Sequence, residues 1–422
     1  MRITHPAVTT VVVVAGLATS AVAVPSEATV RRSDPAVITT WNAIAARTIV
    51  TENATPVPVS TLYFGFVSIA VYDAVVTIEG RYRPYLRQPR VHGRASTEAA
   101  AATAAYRVLS YYFPTSAPKL AADYAASLSG IRDGAAKSRG QQVGETAAST
   151  LIAARAHDGR DAKITLDVTP APGVWRPTPD AFAPMLAPWL GFVRPLTLKS
   201  PTQMRLPGPD PITSKDYARD FAEVKAKGAK DGSSRTAAQT ETAMFWNAPA
   251  SVQYNAALRD RVSRSRMDVV RTARAFALLD TGTADAAIAC WRAKYDYAYW
   301  RPITAIRLAD TDGNPATAPD RGWNSLVPTP PYPEYVSGHA CLTGAASETY
   351  SRLFGARSID INVSSSVTST SRHYATARAL DTETKNARIW LGLHFRQAMD
   401  DGNRLGHRVA AWTATHEFQP RR

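Results

Sequence analysis

Lys294 and Arg301, then Ser337, Gly338 and His339, then Arg388 and His394 are the residues whose types and spacing could do chemistry together. Three fixed cations can neutralise and hydrogen-bond the oxygens of a tetrahedral oxyanion, and charge-assisted bonds of this kind are the strong ones. Ser337 can cap a helix, and Gly338 behind it lets a backbone N–H approach a ligand closely, which is how a helix N-terminus binds an anion. His339 beside that group can gain or lose a proton near neutral pH. His394 stands between Leu393 and Phe395, an imidazole in apolar company. Taken singly, each segment also has a plain reading: a surface helix with snorkelling bases, a chance cap, a satisfied core histidine.

Local patterning suggests how these residues are held. Lys294 and Arg301 are seven positions apart, which at ~100° per residue returns them to nearly one stripe of a helix, with Pro302 marking its end. The aromatics Tyr295, Tyr297, Tyr299 and Trp300 turn that stripe inward. Ser337 opens an apolar helix that reaches Leu353 and stops at Gly355. Arg388 and His394 point ~120° apart on a straight helix, so they converge only if the helix begins between them or Arg388 reaches round.

The rest of the chain reads as helices that carry these segments. Asp34-Pro35 starts one helix, Leu62 to Val76 is a second apolar one, and the Ala-rich stretches 96–112, 117–130 and 134–156 are helical in spacing. Between Pro170 and Pro211 lie 11 of the 29 prolines, interleaved with Trp175, Trp189 and Phe192, which disfavours helix and central strand alike. Helical patterning returns from Ser214 to His416, with breaks near 230–235, 308–335 and 355–372. Strand signals are weak and no solenoid repeat is present. The expected architecture is all-α, a multi-helix bundle, divided into an N-terminal helical half (34–165), a Pro-rich extended connector (166–213) and a C-terminal helical bundle (214–416) that carries the oxyanion site.

Composition bounds the function. At 422 residues with 45% hydrophobic and 20% charged residues the chain is ordinary globular protein, which excludes wholesale disorder and a polytopic membrane protein. Its net charge of +14 attracts anions without choosing among them. Cys290 and Cys341 are too few for a disulfide framework or a zinc ribbon; one bridge or two buried thiols remain open. Arg2 and His5 precede an uncharged run from Ala7 to Val24 that ends in Ala21-Val22-Ala23, so residues 1–23 read as a signal peptide and the protein as secreted, extracellular. No later stretch reads as long and apolar enough to span a membrane.

Lys-x6-Arg-Pro at 294–302, Ser-Gly-His at 337–339 and Arg-x5-His at 388–394, in this order, resemble the three-part signature of the vanadium-dependent haloperoxidase and type 2 phosphatidic acid phosphatase (PAP2) superfamily. Trp41-Asn42, the Thr55-Pro56-Val57-Pro58 and Trp175-Arg176-Pro177-Thr178-Pro179 stretches, and Ala286 to Trp291 are similar to its secreted bacterial haloperoxidase-like branch, over most of residues 34–412. The resemblance implies the helical bundle of the vanadium haloperoxidase and acid phosphatase type. It further implies that Lys294, Arg301, Ser337, Gly338 and Arg388 cradle the oxyanion, that His394 bonds its central atom, and that His339 is the acid–base group. In the haloperoxidases that atom is the vanadium of vanadate, and the implied activity is oxidation of halide by hydrogen peroxide to hypohalous acid, with Lys294 polarising the bound peroxide. Trp291 and Tyr332 fall where such enzymes place side chains beside the halide. In the phosphatases the same histidine becomes phosphorylated, no cofactor is needed, and a phosphate monoester or lipid phosphate is hydrolysed. A non-catalytic oxyanion-binding protein is the third expectation. The partners expected are small molecules (peroxide, halide, an organic acceptor or a phosphate ester), with no nucleic acid and no stable membrane span after signal removal; the halide, the acceptor and the oligomeric state are not specified.

This sequence departs from the family pattern at Val336, where Pro is usual, at Ala387, where Ser often stands, and at Ala398, where the phosphatases place the Asp that orients the histidine. Asp400 and Asp401 follow two and three positions later, and the displacement weighs against the phosphatase reading. Other candidates carry less. Asp310 to Asn314 lacks the glycine position and closing Glu of a calcium loop and reads as a turn. His373, His407 and His416 read as structural or surface residues. Arg259, Arg261, Arg264, Arg266 and Arg271 read as a solvated helix face, and Asn53 and Asn362 match the glycosylation pattern that short sequences often match by chance.

Overall fold

The structure is a computed structural model and describes residues 1–12 and 33–421. The expected cleavage site at Ala21 to Ala23 lies outside the described residues. Met1 to Val12 carry no regular secondary structure. Ser33–Arg422 form one compact unit.

Thirteen α-helices occur among the described residues. The first five are α1 (Ala36–Ala46), which runs on into a π-helical turn at Arg47–Glu52, α2 (Val57–Glu79), α3 (Thr97–Tyr112), α4 (Ala117–Ser129) and α5 (Ala135–Ala154). After a long irregular stretch come α6 (Lys215–Gly228), α7 (Ala237–Phe245), α8 (Ala250–Arg264) and α9 (Val269–Tyr297). The last four are α10 (Pro302–Arg307), α11 (Gly338–Phe354), α12 (Ala377–Trp390) and α13 (Arg396–His416). Starts follow side-chain chemistry: Ser96, Ser214, Asp268, Ser337 and Thr376 each accept a backbone N–H of the turn they open. The break after α11 holds what the sequence pattern did not show, an antiparallel hairpin of β1 (Ile361–Ser365) and β2 (Thr370–Tyr374) paired from Ile361 with Tyr374 to Ser365 with Thr370. Ile361, Val363 and Ser365 alternate inward, a two-residue period over a strand of five residues, too short to stand out.

One apolar core runs from Ile38 to Phe418 and includes both the Ala-rich N-terminal helices and the later bundle. Helices α2 and α9 lie side by side at its centre. Helix α2 corrects one expectation: by length and composition it is apolar enough to cross a membrane, with a mean hydropathy of 1.7 over its most apolar window. That window is 83% buried by the rest of the fold. A helix enclosed on all sides has no polar face to keep, which accounts for its composition.

The irregular stretch between α5 and α6 is tied to α9 by one side chain. Asp285 accepts the N–H groups of Leu196, Thr197 and Leu198 and the Thr197 hydroxyl. Burial raises its carboxyl and these four donors oppose the rise. Helices α11 and α13 pack with backbones in contact: a Cβ on Gly344 would overlap the Asn403 carbonyl, and one on Gly406 the Cys341 carbonyl. His407 pins the same pair to α12, between Asp381 (2.8 Å) and Glu348 (3.0 Å), and these carboxylates raise it to about 9 against its burial. Thus α11, α12 and α13 form one rigid frame, and each contributes to or borders the site.

Candidate active site

Lys294 and Arg301 are not on one helical stripe. Helix α9 ends at Tyr297, Ala298 turns left-handed (φ 41°), and Arg301 is the N-cap of α10, with Pro302 opening that helix rather than closing the previous one. The two cations still meet, because a proline-rich strap wraps them with carbonyls. Lys294 Nζ donates to Pro333 O (2.7 Å) and Glu334 O (3.1 Å). Arg301 Nε donates to Tyr332 O (2.7 Å), and its Nη1 to Leu393 O (2.8 Å). Prolines at 330, 331 and 333 have no N–H to offer, so this strap presents acceptors to the cations. Both cations are fully buried. Burial brings Lys294 down to about 8, helped by Arg301 and opposed by Cys290 and Glu334.

Ser337 caps α11, its Oγ accepting the Ala340 N–H at 3.4 Å. That leaves its hydroxyl proton and the Gly338 N–H at the helix start as unused donors. A Cβ at Gly338 would stand 3.2 Å from the Trp291 ring, so glycine is what lets that aromatic lie against the helix N-terminus. His339 Nε2 is buried and unpartnered. Burial, Arg388 and Lys294 hold its imidazole well below the usual histidine range, against the Ala248 backbone, which favours the protonated form.

Helix α12 ends between Arg388 and His394, and α13 begins after them, so the expected helix start between the two gives way to a short link, Leu391 to Phe395. Gly392, at φ 78°, makes the turn. Arg388 Nη1 donates to Trp246 O at 3.0 Å, while its Nε is buried without a partner. Burial lowers Arg388 to about 10, with Arg301 adding to the fall and the tyrosines 332 and 254 opposing it. His394 Nε2 faces Arg301 Nη1 at 3.3 Å. Burial first, then Arg301, Lys294, Arg388 and His339 in that order keep His394 well below its usual value. The structure therefore brings Lys294, Arg301, Arg388, His339 and His394 into one electrostatic neighbourhood.

Glu334 is the site residue that sequence reasoning missed. Its Oε1 accepts the Phe395 N–H (2.9 Å) and lies 3.0 Å from His394 Nδ1. Burial raises its carboxyl to about 8, against Lys294 and Arg301. With the Nδ1 proton turned to Glu334 Oε1, the Nε2 of His394 would present its lone pair on the side of the cage cations, where it faces Arg301 Nη1. The signal was an acid between two prolines and the Ser-Gly-His turn. The expected orienting residues do other work: Ala398 O accepts the Ser337 N–H, Asp400 pairs with Lys385, and Asp401 accepts the Tyr335 hydroxyl. The objection to a phosphohistidine drawn from Ala398 thus lapses. We expect Glu334→Gln to weaken oxyanion binding ~10–100-fold, as loss of such an outer partner does, with no change of fold; vanadate calorimetry and circular dichroism check both.

Tyr332 and Trp291 line the cationic face. The Tyr332 ring stands 5.0 Å from Lys294 Nζ and 4.8 Å from the Arg301 guanidinium, and the two aromatic rings are 5.0 Å apart. Trp291 is buried and donates its Nε1–H to Leu186 O, whereas Tyr332 is half-buried. Cys290 and Cys341 are both buried and free.

Three buried cations with one carboxylate leave an excess of positive charge in a low dielectric, which an anion offsets. The unpartnered Arg388 Nε and His339 Nε2, with the lone pair of His394, fit a tetrahedral oxyanion such as vanadate or phosphate.

The family described as the VCPO second helical-bundle domain matches residues 274–421. A vanadium chloroperoxidase of Curvularia inaequalis is 26% identical over 181 residues, which cover 32% of this chain and 29% of that protein. The chain thus matches less than a third of that relative's length. Among solved structures, a bacterial vanadium-dependent iodoperoxidase superposes with a TM-score of 0.78 at 21% identity, over 91% of this chain and 97% of the other. The holo form of a bacterial vanadium-dependent chloroperoxidase gives 0.70 at 19% identity, over 92% and 97%. Residues 274–421, which hold every charged residue of the site, thus match the VCPO second helical-bundle domain, and the chain shares the fold of the bacterial vanadium-dependent haloperoxidase structures.

Proposed function

We propose that this protein is a vanadate-dependent haloperoxidase that oxidises halide with hydrogen peroxide to hypohalous acid. The observation that carries the reading is the cage itself: three buried cations around a histidine whose Nδ1 lies 3.0 Å from Glu334 Oε1 and whose Nε2 faces the Arg301 guanidinium at 3.3 Å. Lys294, Arg301, Arg388, the Gly338 N–H and the Ser337 hydroxyl would hold vanadate oxygens, and His394 Nε2 its central atom. When bound, vanadate supplies a Lewis-acidic centre that activates peroxide while its oxidation state stays fixed. His339, neutral at pH 7 because burial and Arg388 depress it, takes a proton at Nε2 from the incoming peroxide. Lys294 Nζ, which gives two of its protons to the strap carbonyls, would have the third available for an oxygen of the bound oxyanion. Trp291 and Tyr332 keep that face aromatic and restrict water.

Glu334 favours a second reading. An oriented imidazole in a phosphate-sized cage is also the arrangement of a phosphohistidine hydrolase, with His394 Nε2 as nucleophile and His339 as acid to the leaving alcohol. The uncharged run from Ala7 to Val24 supports export with cleavage after Ala23, which N-terminal sequencing of the secreted chain tests. The function is tested by loading the apoprotein with orthovanadate and assaying bromide oxidation with peroxide, beside phosphate-ester hydrolysis without vanadate. The first activity is expected; hydrolysis alone would move the assignment to the second reading.

A further inference from the structure

A cleft of about 320 Å³ opens in the N-terminal half, between α5 and the segment that joins α2 to α3. That volume is in the range of clefts that take small organic ligands. Every residue lining it falls between Thr77 and Thr146, outside the 274–421 stretch that holds the charged groups of the cage. The joining segment is tied down at both ends. At one end the buried Asp73 of α2 accepts the Tyr85 N–H (2.6 Å) and the Leu86 N–H (2.9 Å). At the other, Arg139 Nε of α5 donates to Arg94 O (2.6 Å) and the Ser96 N–H to Ala136 O (2.9 Å). Gly93, at φ 81°, turns the chain beside the Arg139 guanidinium. The walls between these ties are therefore preformed, which spares a ligand the cost of ordering them.

The lining divides by chemistry. Arg90 and Arg139 bring two fixed positive charges, Gln142 brings an amide, and no aspartate or glutamate lines the cleft. The acids of α5 and of the turn before it are engaged elsewhere, Glu145 with Arg107 and Asp133 with Lys137. Pro89, Val91 and Val143 supply apolar wall. Arg139 commits its Nε to Arg94 O, and its outer guanidinium nitrogens keep N–H groups in the planar fork that matches a carboxylate.

We propose that this cleft is a second binding site, for a small organic carboxylate with an apolar body. The carboxylate lies between Arg90 and Arg139, and the carbon body rests on Pro89, Val91 and Val143. Both parts are needed. Arg90 is exposed and Arg139 half-buried, so solvent weakens each ion pair, and the apolar wall adds what the charges lack. The site is independent of the oxyanion cage and of the reaction proposed for it.

The intact protein is titrated, by ligand-observed NMR, with benzoate, with its neutral isostere benzamide and with acetate. Benzoate is expected to bind with a Kd of ~1 mM, as a ligand of its size can. Benzamide, which lacks the charge, and acetate, which lacks the apolar body, should each bind at least ~10-fold more weakly. Gln142→Glu sets a carboxylate into the cleft from an exposed helix position, and Arg90→Gln removes one charge; each should weaken benzoate at least ~5-fold. Both positions are exposed, and a thermal melt confirms that the variants fold as the parent does. Benzamide or acetate binding as tightly as benzoate, benzoate affinity unmoved by Gln142→Glu, or no benzoate binding at ~10 mM would overturn the proposal.

Discussion

Replacing His394 by alanine is expected to abolish stable vanadate binding and all turnover while the chain stays folded. Its Nε2 faces Arg301 Nη1 among the cage cations, and its Nδ1 partner Glu334 is held independently by the Phe395 N–H. Without the imidazole, Lys294, Arg301 and Arg388 still attract an anion, but nothing bonds its central atom. The core extends from Ile38 to Phe418 and does not depend on one ring at its edge. Vanadate titration, bromide oxidation and a thermal melt on the variant check the three parts. A variant that turns over at the parent rate would remove His394 from the site.

His339→Ala and Arg388→Ala should separate proton transfer from binding. His339 Nε2 has no hydrogen-bond partner among the cage groups, which suits transient proton exchange. Its loss should keep most vanadate affinity and lower the rate by ~10²–10⁴-fold, the usual cost of removing a general acid–base group. Arg388 is a buried donor with an unused Nε, held by Trp246 O. Removing it should weaken binding by roughly 2–4 kcal/mol, with the rate loss largely following occupancy. Paired vanadate titrations and bromide-oxidation kinetics distinguish the two. If His339→Ala loses vanadate as badly as Arg388→Ala, or keeps full turnover, the proton-transfer step fails.

What the sequence made legible was local. Ser337 as a cap, Gly355 as a stop and Asp268 as a start are written in side chains that bond their own backbone neighbours, and the helical bundle follows from apolar periodicity. The stripe arithmetic for Lys294 and Arg301 failed because it assumes an unbroken helix. The break at Ala298 is made by a residue with no glycine-like preference, held by the bridge between Val174 and Tyr299 that only the fold creates. Glu334 escaped for the same reason. Its role depends on lying 3.0 Å from a histidine 60 positions away, and no local pattern carries that distance. Helix α2 has the composition of a membrane span because burial by protein and burial by lipid ask for the same residues.

The central claim is that one cage, closed by His394, takes the oxyanion. The most direct measurement is anomalous X-ray diffraction at the vanadium edge from crystals of the vanadate-loaded protein. A single vanadium site per chain is expected, bonded to His394 Nε2 and displaced by phosphate. A vanadium bonded instead to His339, or one that phosphate leaves in place, would contradict it.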